Sequence, residues 1–231
     1  MRETERDALL LLLAAASGSA DGWSYFGIGH AFVANMTGNT VLLGIGVFHL
    51  HGDVVHPLIA VGGYVLGTVT GTLIARNVRP GVMWDRRVSW TLFVEALLLI
   101  VAEAAWVGSR QQPTPHFASV LLGTVALAVG MQSGAMFQLR IPGIVTTYIT
   151  GTWTTLTNGI TLLIAHQPRI EREKVKFEER FALQAALLAT YFLAAVLTGW
   201  AFRHAPATVG GIAATAVLLA AGYGALRERH D

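Results

Sequence analysis

The sequence predicts an all-α protein that crosses a membrane several times. Of its 231 residues, 53% are hydrophobic and 13% are charged, whereas a soluble domain carries roughly 25% charged residues. Eight stretches approach the length of about 20 apolar residues that a membrane-spanning helix needs. Two of these eight stretches hold a polar centre. Together these observations indicate six spanning helices and two re-entrant or broken half-helices.

The eight stretches follow one another along most of the chain. The first includes Leu9–Ala16, which also resembles the apolar core of a cleaved secretory signal. The acidic residues around its two flanking arginines weaken that alternative, and the repeat described below needs this segment. The stretches are Ala8–Gly29, Ala31–Leu50, Leu58–Ala75, Val88–Val107, Phe117–Leu139, Ile144–Ala165, Phe181–Phe202 and Ala207–Leu226.

The second and sixth stretches differ from ordinary spans because polar residues fill their centres. The second contains Asn35–Thr40, and the sixth contains Thr146–Thr152. Irregular backbone is tolerated at membrane depth only inside protein or beside a water-filled cavity. Thr and Asn are good helix caps, so we predict a half-helix from Gly38 to about Phe48, roughly 15 Å long. The second half-helix is predicted to start near Gly151.

The two polar segments indicate an internal repeat. An offset of 113 residues places Thr37-Gly38 over Thr150-Gly151. With a one-residue slip, Gly18 and Gly22 fall on Gly130 and Gly134, and Asp21 falls on Ser133. Residues 1–110 would form the first repeat and residues 111–231 the second. Chance similarity between Thr- and Gly-rich apolar stretches is the alternative.

Charge predicts the topology. Cytoplasmic loops carry an excess of Lys and Arg. If the two polar segments dip in and return, and the N-terminus is cytoplasmic, 14 of the 16 Lys and Arg residues fall inside; if all eight segments cross, only 10 do. Each repeat then crosses three times, so the two are inverted, as in many transporters whose site lies near the midplane. Both termini are predicted to be cytoplasmic.

The predicted site lies between the two half-helices. Facing helix N-termini would favour an anion or another hydrogen-bond acceptor, and nearby polar side chains would complete the site. The alternative is that these small polar residues only pack helices together. The predicted substrate-binding residues are Thr37, Gly38, Asn39, Thr40, Thr150, Gly151, Thr152, Gln132 and Ser133.

Two acidic residues inside predicted spans are candidates for proton coupling. Charged groups at membrane depth are costly and therefore indicate function. Asp21 lies in the first span and has a neutral counterpart in the repeat, and Glu95 lies among apolar residues about two turns into the fourth. For Asp21 the alternative is a hydrated position near the outer interface.

Several site types are not indicated. The chain has no cysteine, which excludes disulfides and zinc–thiolate sites. His30, His49, His51 and His56 lie mostly in a loop and are interpreted as interfacial rather than as metal ligands. No cofactor is expected. No basic stripe with aromatic residues indicates nucleic acid. The lipid bilayer and a small solute are the expected partners.

The glycines of the third span indicate close helix packing. Gly63, Gly67 and Gly71 lie four residues apart and would let another helix approach closely. That helix could belong to the same chain or to a second copy, so a homodimer is left open.

The motifs Ser19–Phe26 and Phe32–Thr40, which includes Asn-Met-Thr-Gly-Asn-Thr, resemble the signature of the YoaK-like bacterial membrane proteins. These form a domain-of-unknown-function family of about this length. The resemblance implies a bacterial inner-membrane protein with about six helices, and it supplies no substrate.

Three functions were weighed. A transporter or channel for a small polar or anionic solute is the leading hypothesis. A scaffold or assembly partner is the alternative. An intramembrane enzyme is a further alternative, but no nucleophile–base pair or metal motif is found at membrane depth, so no catalytic residue is predicted.

Overall fold

The computed structural model describes residues 1–48, 54–78, 82–139, 149–164 and 171–228, and within these ranges the regular structure is helical. His49, His51, Thr146 and Thr147 lie outside the described residues. The elements are α1 (Glu3–Trp23), a π-helix (Ser24–Gly29), α2 (Met36–Phe48), α3 (Val55–Ile74), α4 (Arg86–Gly108), α5 (Pro115–Gln138), α6 (Ile149–Ile164), α7 (Glu171–His204), a 3-10 turn (Pro206–Thr208) and α8 (Val209–Glu228).

Five stretches of the described helices are long and apolar enough to cross a membrane, and they coincide with the third, fourth, fifth, seventh and eighth predicted spans. The fold class of a polytopic all-α membrane protein is therefore confirmed. The five are Val55–Ile74, Arg86–Gly108, Pro115–Gln138, Phe181–His204 and Pro206–Arg227.

The first predicted span is a composite element. The 21-residue helix α1 passes directly into the six-residue π-helix, which ends at His30 with a φ of 51°. That left-handed residue cannot continue a right-handed helix. The chain then runs without regular helix until α2 begins at Met36.

Both polar stretches contain helix. The described part of α2 has 13 residues, about 20 Å along its axis, and that of α6 has 16 residues, about 24 Å. Met36, where α2 starts, lies two residues before the predicted start at Gly38, and the described part of α6 begins at Ile149.

Glycines set the contact between α3 and α5. A side chain at Gly67 would collide with the carbonyl group of Leu127, and one at Gly71 with that of Met131. In return, a side chain at Gly130 would collide with the backbone of Tyr64. The predicted glycine stripe therefore serves packing within the chain.

Arginines collect at one end of the bundle. The guanidinium of Arg227, at the end of α8, lies 2.8 Å from Glu5 at the start of α1. Arg87, at the start of α4, donates to the carbonyl oxygens of Arg76 (3.2 Å) and Asn77 (2.5 Å), just beyond α3. Trp84, just before α4, lies against Gly224 near the end of α8, so the start of α1, the end of α3, the start of α4 and the end of α8 lie at one end of the bundle.

Candidate functional site

A buried carboxylate holds the irregular segment between the π-helix and α2. Asp21 is 4% exposed. Its Oδ1 accepts hydrogen bonds from the backbone N–H groups of Val33 (2.7 Å), Ala34 (2.7 Å) and Asn35 (3.4 Å). Its Oδ2 accepts a hydrogen bond from the hydroxyl of Tyr191 on α7. The interruption of the helix leaves these backbone N–H groups without helical partners, and Asp21 satisfies them.

Two asparagines of the polar motif satisfy more of the same segment. Asn39 is fully buried; its Oδ1 accepts from the N–H of Phe32 at 2.9 Å and its Nδ2 donates to the Phe32 carbonyl at 2.6 Å. Asn35 Oδ1 accepts from the N–H of Gly38 at 3.0 Å and so caps α2. The motif thus stabilises backbone that would be costly to expose to lipid.

The remaining residues of the first polar segment are more open. Thr37 and Thr40 are exposed, and the Thr40 hydroxyl donates to the carbonyl of Met36 at 2.9 Å. Gly38 lies close to two side chains, because a Cβ there would be 2.9 Å from the Phe32 ring and 3.0 Å from Asn35 Nδ2. A larger residue at this position would have to displace Phe32 or Asn35.

A carboxyl group of the protein itself lies just before the start of α2. A helix N-terminus favours an anion because its N–H groups are unpaired and its dipole is positive there. Asp21 binds the N–H groups of the three residues directly before Met36. A carboxylate of the chain itself therefore occupies the neighbourhood that was predicted for an anionic solute.

The second polar segment is described only from Ile149 onward. Thr150 is exposed, Gly151 is half-buried and Thr152 is 4% exposed. The carbonyls of Thr150 and Gly151 accept hydrogen bonds from the hydroxyls of Thr154 (3.1 Å) and Thr155 (2.9 Å).

The two half-helices have different neighbours. Within the described residues α2 packs on α3 and α6 packs on α7, and neither packs extensively on the other. The two Thr-Gly pairs are therefore not brought into direct contact there.

Gln132 and Ser133 are both buried on α5. Gln132 Nε2 donates to Ser17 Oγ (3.0 Å) and to the carbonyl of Leu13 (3.3 Å), joining α5 to α1 about one turn from Asp21. Ser133 Oγ donates to the Val129 carbonyl of its own helix at 3.3 Å. Gln132 thus links α5 to the polar side chains of α1, about one turn from Asp21.

Polar side chains also join α1 to α7. The hydroxyl of Thr198 donates to Ser19 Oγ at 2.8 Å, and the hydroxyl of Tyr191 donates to Asp21, two residues further along α1. Sequence reasoning missed Tyr191, Thr198, Ser17 and Ser19. The signal for Tyr191 is the resemblance of Tyr64–Val69 to Tyr191–Val196, which share Tyr, Leu and Val at the same spacing.

Glu95 is placed differently from Asp21. It lies nine residues after Arg86, so about 14 Å along α4, and its side chain is fully buried. Neither carboxyl oxygen has a hydrogen-bond partner among the described residues. An unpaired charge in such a place is costly. Asp21 and Glu95 share no contact, and neither lines the two cavities described below.

A third carboxyl, that of Glu103 near the end of α4, caps a helix. Glu103 Oε2 accepts from the N–H of Gly210 at the start of α8, at 3.0 Å. The buried Asp21 thus stabilises the segment before α2, and the half-buried Glu103 stabilises the start of α8. Within the described part of the chain, no cluster of three or more metal-ligating side chains is found.

A helical bundle with several membrane-length helices and a hydrogen-bonded break inside it defines a polytopic membrane protein. Residues 9–223 match the model of a family described as "Protein of unknown function (DUF1275)". The chain therefore belongs to the DUF1275 family. It is 29% identical over 197 residues to the UPF0700 transmembrane protein YoaK of Bacillus subtilis (strain 168), covering 85% of this chain and 84% of that protein. No solved structure matches significantly. The resemblance to YoaK-like proteins is confirmed.

Proposed function

We propose that this protein is a bacterial inner-membrane transporter or channel for a small, neutral polar solute, with its pathway beside the break before α2. The observation that carries the proposal is the set of hydrogen bonds by which Asp21 holds non-helical backbone inside the bundle. Irregular backbone at membrane depth is tolerated where it is buried in protein or lines a water-filled cavity, and transporters use it to bind solutes.

Re-entry of the segment before α3 supports the proposal. A Cβ on Gly29, at the end of the π-helix, would lie 2.8 Å from the ring of His56 in the first turn of α3. The segment between them therefore leaves and returns to the same end of the bundle. With α2 re-entrant, three spans remain in the first half of the chain.

Packing supports an inverted repeat divided at residues 1–110 and 111–231. Exchanging α1 with α5, α2 with α6, α3 with α7 and α4 with α8 converts each principal helix pair into another. The pair α3–α5 becomes α7–α1, α2–α3 becomes α6–α7, α4–α5 becomes α8–α1, and α4–α8 maps onto itself. A two-fold relation between the halves accounts for this pattern.

Side-chain detail supports the same relation. A Cβ on Gly130 would collide with the carbonyl oxygen of Tyr64, and one on Gly18 with that of Tyr191. Gly18 and Gly130 are aligned by the repeat, and the two tyrosines lie on α3 and α7, which the same exchange of helices pairs. The asymmetry lies at Asp21, whose counterpart is Ser133.

The charge of Asp21 favours a neutral solute over an anion. Four donors surround its two oxygens, an arrangement suited to a carboxylate, which only accepts. A second anion beside α2 would meet repulsion in a low-dielectric site. A hydroxyl or amide solute can instead exchange hydrogen bonds with the exposed Thr37 and Thr40.

The two acidic residues take separate roles in this proposal. Asp21 is a fixed anion that shapes the break. Glu95 is the proton-coupling group, because a carboxyl that is buried without a partner is least costly when protonated and can change charge only as the protein moves.

A flux experiment tests the proposal. Purified protein in liposomes is assayed for uptake of glycerol, urea, formate and phosphate. Gly38→Leu, which crowds Phe32 and Asn35, should abolish flux; Gly44→Leu on the same helix is the matched control, because a Cβ at Gly44 meets nothing within 4 Å. Flux of the neutral solutes that survives Gly38→Leu unchanged would exclude the break as the pathway.

A scaffold or assembly partner is the alternative function. The two described cavities favour it, because they lie along α8 rather than at Asp21. The glycine stripe argues the other way, because Gly67 and Gly71 contact α5 of the same chain instead of a subunit interface.

A further inference from the structure

A cavity of about 600 Å³ lies between the first two turns of α4 and the last turns of α8. Its walls are formed by Arg86, Trp90 and Phe93 on α4 and by Gly222 and Leu226 on α8. These helix ends lie at the arginine-rich face of the bundle. The cavity is separate from the break at Asp21 and has no part in the proposed pathway.

The wall on α4 changes from charged to apolar with depth. Arg86 is the first residue of the helix, Trp90 follows about one turn later, and Phe93 lies about 10 Å along the axis from Arg86. A guanidinium at the membrane surface followed by aromatic rings toward the hydrocarbon matches the layering of a phospholipid, whose head group is polar and whose chains are apolar.

Arg86, at the charged end of the cavity, lacks an anionic partner among the described side chains. Its neighbour Arg87 is engaged by the carbonyls of Arg76 and Asn77, and Arg227 pairs with Glu5. Arg86 is exposed, and its guanidinium carbon lies 6.0 Å from the centre of the Trp90 ring. Its planar donors are therefore available for a phosphate, which arginine binds bidentately.

Gly222 gives the second wall its shape. A Cβ built at this position meets no atom within 4 Å. The space beside α8 is therefore open at that point, and α8 presents a groove where a larger residue would fill it. The single acidic group next to Arg86 in sequence, Asp85, is turned to the helix start, where its Oδ1 accepts from the N–H of Arg87 at 2.8 Å.

We propose that this cavity binds an anionic phospholipid of the cytoplasmic leaflet, with its phosphate on Arg86 and its first chain carbons against Trp90, Phe93 and Leu226. The arginine-rich end faces the cytoplasm by the charge rule for membrane proteins, and that leaflet carries anionic lipids that basic residues attract. The apolar wall selects a lipid over free phosphate, which would gain nothing from the aromatic rings.

Native mass spectrometry of the full-length protein tests the site. Protein released from nanodiscs of equal phosphatidylglycerol and phosphatidylcholine should retain phosphatidylglycerol preferentially. Arg86→Gln should lower that retention about fivefold, the equivalent of about 1 kcal/mol for one basic group near the surface. Gly222→Leu should lower it as much by filling the groove. Arg203→Gln, which removes an exposed charge at the opposite end, should leave it unchanged.

Each contrary result overturns the proposal. Equal retention of the two lipids by the unaltered protein excludes anion selection. Equal loss in Arg86→Gln and Arg203→Gln reduces the effect to net charge, and full retention in Gly222→Leu excludes the cavity. Displacement of the lipid by millimolar glycerol 3-phosphate assigns the site to a soluble phosphate instead. Circular dichroism and gel filtration check that each variant is folded.

Discussion

At the scale of single residues, the polar motif works mainly on its own backbone. Asp21, Asn35 and Asn39 accept hydrogen bonds from five N–H groups in Phe32–Gly38. Such groups are expensive to leave unpaired away from water. The same polar residue types that predicted a solute site therefore stabilise the non-helical backbone before α2 inside the bundle.

The hydroxyl of Tyr191 is expected to stabilise the break. Tyr191→Phe removes one donor from the buried Asp21 carboxylate and should destabilise the protein by about 1–3 kcal/mol. Thermal unfolding in detergent measures the change. Tyr223→Phe is the control, because Tyr223 is 39% exposed at the end of α8. Equal melting of the two variants would contradict the role given to Tyr191.

Asp21 and Glu95 are expected to respond differently to the same chemical change. Asp21→Asn replaces a carboxylate that binds four donors and should lower stability by about 1.5–3 kcal/mol. Glu95→Gln replaces an unpartnered carboxyl with a neutral group of the same shape, so its stability should change by less than about 1 kcal/mol. Thermal melts compare them, and a larger loss in Glu95→Gln would show that Glu95 is ionised.

At the scale of helices, close backbone approach decides which elements pair. The contact between α3 and α5 depends on Gly67, Gly71 and Gly130, and the contact between α1 and α7 depends on Gly18. Membrane helices gain little from the hydrophobic effect between one another, so shape complementarity at small residues directs their pairing.

Two glycines of α3 provide a matched test. Gly67→Leu forces a side chain into the carbonyl of Leu127 and should destabilise the protein by about 1–3 kcal/mol or prevent folding. Gly62→Leu places the same side chain where a Cβ meets nothing within 4 Å. Expression level and melting temperature should fall in the first variant alone. Similar behaviour of both variants would mean that α3 does not pack on α5 in this way.

At the scale of the whole molecule, the fold combines an arginine-rich end with several helices of membrane-spanning length. The predicted topology and the re-entrant path of α2 can be tested together. The chain has no native cysteine, so single cysteines can be introduced and labelled without removing any others.

Cysteines at His30 and Val54 should react with a membrane-impermeant maleimide added outside the cell, and a cysteine at Asn77 should react only after the membrane is opened. The reason is that Gly29 and His56, next to the first two positions, lie side by side, while Asn77 lies at the arginine-rich end. Labelling of His30 and Val54 from opposite faces would show that α2 crosses the membrane.

The amino-acid sequence alone determined the membrane class and the positions of five of the six predicted spans, which the described helices match in length and composition. These properties are local, because apolar length decides whether a helix can span. A helix start near Gly38 was predicted to within two residues, because Asn35 three residues earlier is a good helix cap.

Only the tertiary structure decided what the polar residues contact. Asp21 and Tyr191 are 170 residues apart, and Gln132 meets Ser17 across 115 residues, pairings that depend on which helices pack together. The sequence indicated charge at membrane depth but could not separate Asp21, which holds the backbone, from Glu95, which has no such partner. The physical reason is that hydrogen-bond satisfaction is a property of the packed bundle, whereas span length and helix ends are properties of the chain.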